Sequence, residues 1–175
     1  MGADGKVLAV VNQRAPDFSL FDTNGQAVKL SSLRGKTVLI DFWATWCSPC
    51  VASMPHLDQV HKDESGLDVV VIAVNLEDQQ KASQFMAENA YSFTSVVDSD
   101  KSVMRQYGVD SIPTTFLVDK FGILRKKMVG GSSISLTLAL WGEQFRRLMD
   151  IRGEPNVKPA KKAGREKQVS LANGV

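Results

Sequence analysis

The feature that most limits what this chain can fold into is the stretch Thr37-Val38-Leu39-Ile40-Asp41-Phe42-Trp43-Ala44-Thr45-Trp46-Cys47-Ser48-Pro49-Cys50. It is an apolar, β-branched run ending in two cysteines separated by two residues, and the chain contains only these 2 cysteines. Val51 to Val60 follow with the apolar spacing of an amphipathic helix, so the pair is expected where a strand turns into a helix. The unpaired N–H groups and positive dipole end of a helix N-terminus favour an anion. They should stabilise a Cys47 thiolate and draw its pKa below the free-cysteine value of about 8.5. A reactive thiol is the first expectation.

The rest of the chain supplies a sheet around that strand. Ala15 to Leu20 and Val28 to Leu30 flank Asp22-Thr23-Asn24-Gly25-Gln26 and read as two short strands around an Asn-Gly turn, a hairpin laid before the main sheet. The near-continuous apolar character of residues 37–43 suits a strand covered on both faces, at the centre of an α/β sheet. Asp68 to Val74 is a second buried strand. Gln79 to Ala90 has the 3.6-residue pattern of a surface helix with Ala82, Phe85 and Met86 inward. A short strand at Ser95 to Asp98 and a short helix at Ser102 to Tyr107 precede Thr114 to Val118, a turn at Asp119-Lys120-Phe121-Gly122, and an antiparallel return over Ile123 to Val129. Alternating elements followed by a hairpin give a mixed sheet flanked by helices. Ser132 and Ser133 can cap a last helix to about Met149, with Leu136, Leu140, Phe145 and Leu148 available for burial and Trp141 as a packing residue.

Length and charge bound the function. With 175 residues, 43% hydrophobic and 23% charged, the chain suits one well-buried domain: a flexible lead over 1–13, a domain over 14–152, and a tail over 153–175. The formal net charge of +2 is near neutral, and much of the excess sits in that tail (Lys158, Lys161, Lys162, Arg165, Lys167). A basic nucleic-acid footprint on the folded part is therefore not expected. The tail has almost no large apolar residues and is expected to be disordered. No apolar run approaches the roughly 20 residues of a membrane span, and residues 1–6 lack the apolar core of a signal peptide.

The stretch from Asp41 to Cys50, together with Ile112-Pro113-Thr114 ahead of a late strand, resembles the thioredoxin superfamily. The Ala15-Pro16-Asp17-Phe18 hairpin, Met54-Pro55 in the first long helix and the extra helix-strand segment between Asn75 and Asp98 are similar to its TlpA/ResA-type, redoxin-like branch. The likeness covers residues 14–150. It implies a thioredoxin-like α/β fold: a central mixed β-sheet flanked by helices, with an N-terminal β-hairpin extension and an inserted helix-strand segment. It also implies Cys47 as the exposed nucleophile and Cys50 as the resolving thiol beneath it. The two would form a redox-active Cys47–Cys50 disulfide with no other cofactor. Cys47 thiolate would attack a substrate disulfide and Cys50 would then resolve the mixed disulfide. Pro49 is tolerated in a first helical turn, where it stiffens the loop. Pro113 matches the family's cis-proline, facing the cysteines, with the backbone around Ile112 receiving an extended substrate segment. Trp46, Ser48, Pro49, Ile112 and Pro113 are thus the expected substrate-binding residues, and Trp43 is expected in the core.

Asp41 lies six residues before Cys47, at the position of the buried acid in cytoplasmic-type thioredoxins. There, desolvation would raise its pKa and let it take the Cys50 proton directly or through water. The branch commonly has asparagine at this position and a glutamate three residues after the second cysteine. This chain has Asp41 and Ser53 instead, so the proton-transfer role is assigned to Asp41. The lysine that partners the acid in thioredoxins is missing, and Ala73 falls near its place.

Three rival chemistries fit the same residues less well. Cys47, Cys50, His56 and His61 formally offer four zinc ligands, but the two histidines are five apart on one predicted helix and do not share a face, so solvated histidines and no metal are expected. A peroxide-reducing peroxiredoxin-like enzyme would need a proline and then a threonine or serine before its cysteine, where this chain has Ile40 and Ala44. A non-catalytic binding module would not need both sulfurs. The expectation is a protein-disulfide reductase, a thiol-disulfide oxidoreductase working as a reductant on protein disulfides and recharged by an upstream thiol reductant. It is expected to be a monomer in a bacterial extracytoplasmic, periplasmic compartment, its leader or anchor absent from this chain; the alternative is cytoplasmic. The substrate could be an apocytochrome, as in cytochrome c maturation, a copper-site protein or a general thiol pool. Nothing in these residues chooses among them.

Overall fold

A computed structural model describes residues 9–62 and 69–131. Its elements are β1 (Ser19–Asp22), β2 (Ala27–Lys29), a 3₁₀ turn (Leu30–Leu33), β3 (Thr37–Trp43), α1 (Ser48–Lys62), β4 (Val69–Asn75), α2 (Gln79–Asn89), β5 (Thr94–Val97), α3 (Ser102–Gln106), β6 (Thr114–Val118) and β7 (Leu124–Val129). The strands form one seven-stranded mixed sheet in the order β2-β1-β5-β4-β3-β6-β7. β3 runs parallel to β4 and antiparallel to β6, which makes it the strand that both halves of the sheet are built on.

Every residue of β3 is buried, as its unbroken apolar run requires. Successive side chains alternate between faces. Val38, Ile40 and Phe42 enter one apolar cluster with Phe18, Tyr107 and Phe116. Leu39 and Trp43 enter the other, with Met54 and Leu57 of α1 and Met86 of α2. Asp41, between Leu39 and Trp43 in this alternation, therefore projects to the α1 side. The Tyr107 hydroxyl donates to the Pro16 carbonyl at 2.6 Å, fastening the segment before β1 to the sheet's opposite cluster.

The amino-terminal hairpin differs from its expected place. β1 and β2 pair around the anticipated turn, where Gly25 takes φ +80° and the Asp22 carboxyl accepts from the N–H groups of Asn24 and Gln26. β1 also pairs antiparallel with β5 through Phe21↔Val97 and Asp22↔Val96, so the hairpin is the edge of the main sheet itself. The pairing gives the backbone groups of β5 partners that would otherwise face solvent. Within the segment expected as a flexible lead, Ala9 N–H donates to Gln106, Asn12 N–H donates to Leu124, and Leu124 N–H donates to Gln13. The last helix expected from Ser132, with Leu136, Leu140, Trp141, Phe145 and Leu148, and the basic tail from Gly153 lie outside the described residues.

Candidate active site

At the end of β3 the chain turns through Ala44-Thr45-Trp46 and starts α1 at Ser48. Cys47 occupies the capping position: its N–H donates to the Ala44 carbonyl at 3.1 Å, and its carbonyl accepts the Val51 N–H at 3.0 Å. The Cys50 N–H, one of the four that a helix start leaves without a backbone acceptor, donates to Cys47 Sγ at 3.3 Å. The sulfur thus stands where a capping oxygen would, in the field of the helix N-terminus. Cys47 and Cys50 form a disulfide with S–S 2.05 Å and Cα–Cα 5.2 Å.

Cys47, expected to be exposed, is only 4% exposed, and Cys50 is fully buried. Both disulfide-bonded cysteines belong to the cluster that holds Trp43 and Met54, with a narrow edge of Cys47 facing outward and Cys50 buried. Ser48 and Pro49 are exposed. Trp46 is 70% exposed whereas Trp43 is fully buried, its ring 4.9 Å from that of Phe85.

The Ile112–Pro113 peptide bond is cis. Pro113 is buried, and Ile112 packs partly against the cluster containing both cysteines. The Pro113 carbonyl accepts the Gly130 N–H at 2.8 Å. At Gly131 an added Cβ would lie 2.9 Å from the Pro49 carbonyl oxygen and 3.3 Å from Pro49 Cβ. The end of β7 thus touches both the proline between the cysteines and the proline before β6.

Asp41 is fully buried in mid-strand and opposes Ala73 on β4 and Thr115 on β6. Thr115 Oγ1 donates to Asp41 Oδ1 at 2.6 Å. Burial raises the Asp41 pKa from 3.8 to about 7, against the smaller lowering effect of the Thr115 hydrogen bond. Ala73, directly opposite, brings no cation that would restore the ordinary value. Ser53 is no substitute acid: its hydroxyl donates to the Cys50 carbonyl at 2.7 Å, within the helix.

His56 and His61, expected to be solvated, are both half-buried. His61 Nδ1 accepts the Val71 N–H at 3.3 Å, and burial pulls its pKa below the usual value. The last turn of α1 leans on β4, which withdraws His61 from water. Among the described residues no three His, Cys, Asp or Glu side chains are grouped to hold a metal ion.

Sequence reasoning passed over Thr115, Gly131 and Glu77, whose carboxylate accepts from the Thr45 N–H and hydroxyl. Thr115 could have been found from β-alternation after Pro113. Glu77 and Gly131 gain their contacts only from the tertiary fold.

Residues 10–138 match the Redoxin family. The chain is 36% identical over 126 residues to the thiol-disulfide oxidoreductase ResA of Geobacillus thermodenitrificans, covering 71% of this chain and 72% of that one. It is 37% identical over 123 residues to ResA of Bacillus subtilis, covering 70% and 69%. Among solved structures it is similar to the pneumococcal exposed lipoprotein thioredoxin Etrx1 of Streptococcus pneumoniae. That match has a TM-score of 0.61 and 33% identity, and covers 71% of this chain and 99% of that one.

Proposed function

The chain belongs to the Redoxin family and is a thiol-disulfide oxidoreductase of the ResA kind, and from that premise we propose that it reduces protein disulfides, with Cys47 as nucleophile, Cys50 as resolving thiol and Asp41 as proton acceptor. The observation that carries the reading is the Cys50 N–H donated to Cys47 Sγ at the start of α1, an arrangement that favours negative charge on that sulfur. In the reduced protein, Cys47 thiolate attacks one sulfur of the substrate disulfide, the other sulfur leaves as a thiolate, and a mixed disulfide forms. Cys50 gives its proton to the Asp41 carboxylate and attacks Cys47 Sγ. The second substrate thiolate leaves, and two electrons have passed from the dithiol to the substrate. With its pKa near 7, Asp41 is partly ionised at neutral pH and able to receive a thiol proton.

Trp46, Ser48 and Pro49 form the outward surface around the sulfur, and Ile112 and Pro113 form the opposite lip on which an extended substrate segment lies. An upstream thiol donor restores the dithiol. The protein works as a monomer on the extracytoplasmic side of a bacterial membrane, where its protein-disulfide substrate is an apocytochrome, a copper-site protein or a general thiol pool. The exposed lipoprotein named among its structural relatives supports that compartment, and no described helix is long and apolar enough to cross a membrane.

The test is Cys50→Ser, which leaves the mixed disulfide on Cys47 unresolved. Non-reducing electrophoresis and mass spectrometry should show protein adducts on Cys47 that Cys47→Ser lacks; adducts absent from both would overturn the assignment. The direction is tested by the reduction potential. A value near that of the strong oxidant DsbA, about −120 mV, would overturn the reductant role.

A further inference from the structure

The β3–β4 ladder ends at the Trp43↔Asn75 pair, with one last bond from the Leu76 N–H to the Trp43 carbonyl at 3.1 Å. Beyond it the two chains diverge, one toward Cys47 and the other toward α2. The next inward N–H, that of Thr45, meets the side chain of Glu77. Thr45 N–H donates to Glu77 Oε2 at 2.6 Å, and Thr45 Oγ1 donates to Glu77 Oε1 at 3.1 Å. Both oxygens of one carboxylate are thus spent on one residue of the loop that leads into the cysteine pair.

Glu77 is itself anchored. Its N–H donates to Oδ1 of Asn75, a fully buried residue at the end of β4, at 2.8 Å. Its side chain is 9% exposed, and its one ionic partner among the described residues, Lys81 Nζ at 3.9 Å, is 61% exposed and only partly offsets its charge. A carboxyl group this buried needs hydrogen bonds to satisfy its oxygens, and here those bonds come from Thr45. Trp46, the next residue, is 70% exposed and has little of its own surface packed to fix its direction. The backbone on either side must therefore set where it points.

We propose that Glu77 is a positioning residue for disulfide exchange: by gripping Thr45 through both carboxylate oxygens, it holds Trp46 in the arrangement that a protein substrate meets. The inference rests on the reading of Cys47–Cys50 as an exchange site. Without the grip, Thr45 and Trp46 would be ordered only when substrate arrives, and that ordering would weaken protein binding. A small disulfide that reaches the sulfur without touching Trp46 would be indifferent to it.

The experiment measures steady-state reduction of insulin, as the protein disulfide, and of hydroxyethyl disulfide, as the small one, by the full chain and three variants. Glu77→Ala is expected to raise KM for insulin about 5- to 10-fold, with kcat and the hydroxyethyl disulfide rate within about twofold of the original. Glu77→Gln keeps an oxygen for the Thr45 N–H and a donor for Thr45 Oγ1, and is expected to return KM to within about twofold. Thr45→Val removes only the hydroxyl bond and should fall between them. If Glu77→Ala fails to fold, the glutamine and valine variants still decide by their order. Insulin KM unchanged in Glu77→Ala, glutamine as damaging as alanine, or equal loss with both disulfides would each overturn the positioning role. Failure of the original chain to reduce insulin or hydroxyethyl disulfide at all would instead overturn the exchange reading on which it rests.

Discussion

Thr115 Oγ1 donates to Asp41 Oδ1 at 2.6 Å across the β3–β6 ladder, while Oδ2 of the same carboxyl has no hydrogen-bond partner among the described residues. One bond to a fully buried acid does not balance the loss of water, and the pKa of Asp41 accordingly stands at about 7. The carboxyl is thus an expense to the fold that the proton-transfer role proposed for it would explain.

That expense has a pH signature. The unfolded acid titrates at 3.8 and the folded one at about 7, so the folded state binds the proton more tightly. Below both values Asp41 is protonated in either state and costs nothing extra. As pH rises between them, the unfolded state alone gains by ionising, and stability falls until it levels above the folded value. The shift corresponds to a penalty on the order of 4 kcal/mol. Asp41→Asn should therefore match the original protein below about pH 3 and exceed its stability by several kcal/mol at about pH 8. Urea unfolding of the disulfide forms below about pH 3 and at about pH 8 checks this, and a difference independent of pH would count against a buried, raised acid.

The same residue separates the two steps of exchange. Asp41→Asn removes the acceptor for the Cys50 proton but leaves the helix-start environment of Cys47 intact. Resolution of the mixed disulfide should slow by about 100-fold or more, while initial attack stays nearly unchanged. In the original protein the resolving step should rise as pH passes through about 7. Thr115→Val, which removes the bond that lowers the Asp41 pKa, should move that midpoint upward. Stopped-flow measurement of the two phases decides; equal loss in both phases would remove Asp41 from proton transfer.

The two tryptophans flanking the end of β3 should behave oppositely. Trp43 is fully buried against Phe85, and Trp43→Ala should cost about 3–5 kcal/mol. Trp46 is mostly exposed, so Trp46→Ala should change stability by no more than about 0.5 kcal/mol yet raise KM for a protein disulfide. Thermal melts set beside insulin-reduction kinetics separate the two. A Trp46→Ala protein with unaltered KM would take Trp46 out of the docking surface.

What could be read from the chain alone was what local pattern encodes. The unbroken apolar run of β3, the cysteine pair at a helix start and the strand after Pro113 each announce themselves within about ten residues, because burial on both faces and helix capping act over that range. Asp41 stood out because it interrupts an apolar strand, and its burial follows from that position. Pairing of β1 with β5, the Val71 bond to His61 and the Glu77 grip on Thr45 join residues distant in sequence. Their residue types are common on ordinary surfaces, so nothing local marks them. The low exposure of Cys47 also escaped: the family resemblance implies an exposed nucleophile, whereas in the disulfide Cys47 is only 4% exposed.

Gly131 supplies the remaining test, because just past β7 it lies against Pro49 of the dipeptide separating the cysteines. A Cβ there would sit 2.9 Å from the Pro49 carbonyl oxygen, closer than real Cβ contacts allow, and 3.3 Å from Pro49 Cβ. Pro49 is a rigid ring in the first turn of α1, and its neighbour Cys50 is locked into the core, so the loop has little freedom to retreat. Gly131→Ala should therefore displace the active-site turn, costing about 1–3 kcal/mol of stability. It should also slow reaction even with hydroxyethyl disulfide, which distinguishes it from loss of a docking side chain such as Trp46. Measured melting temperature and small-disulfide kinetics together check the prediction. A normal rate in a destabilised protein would mean that β7, rather than the cysteine loop, gives way.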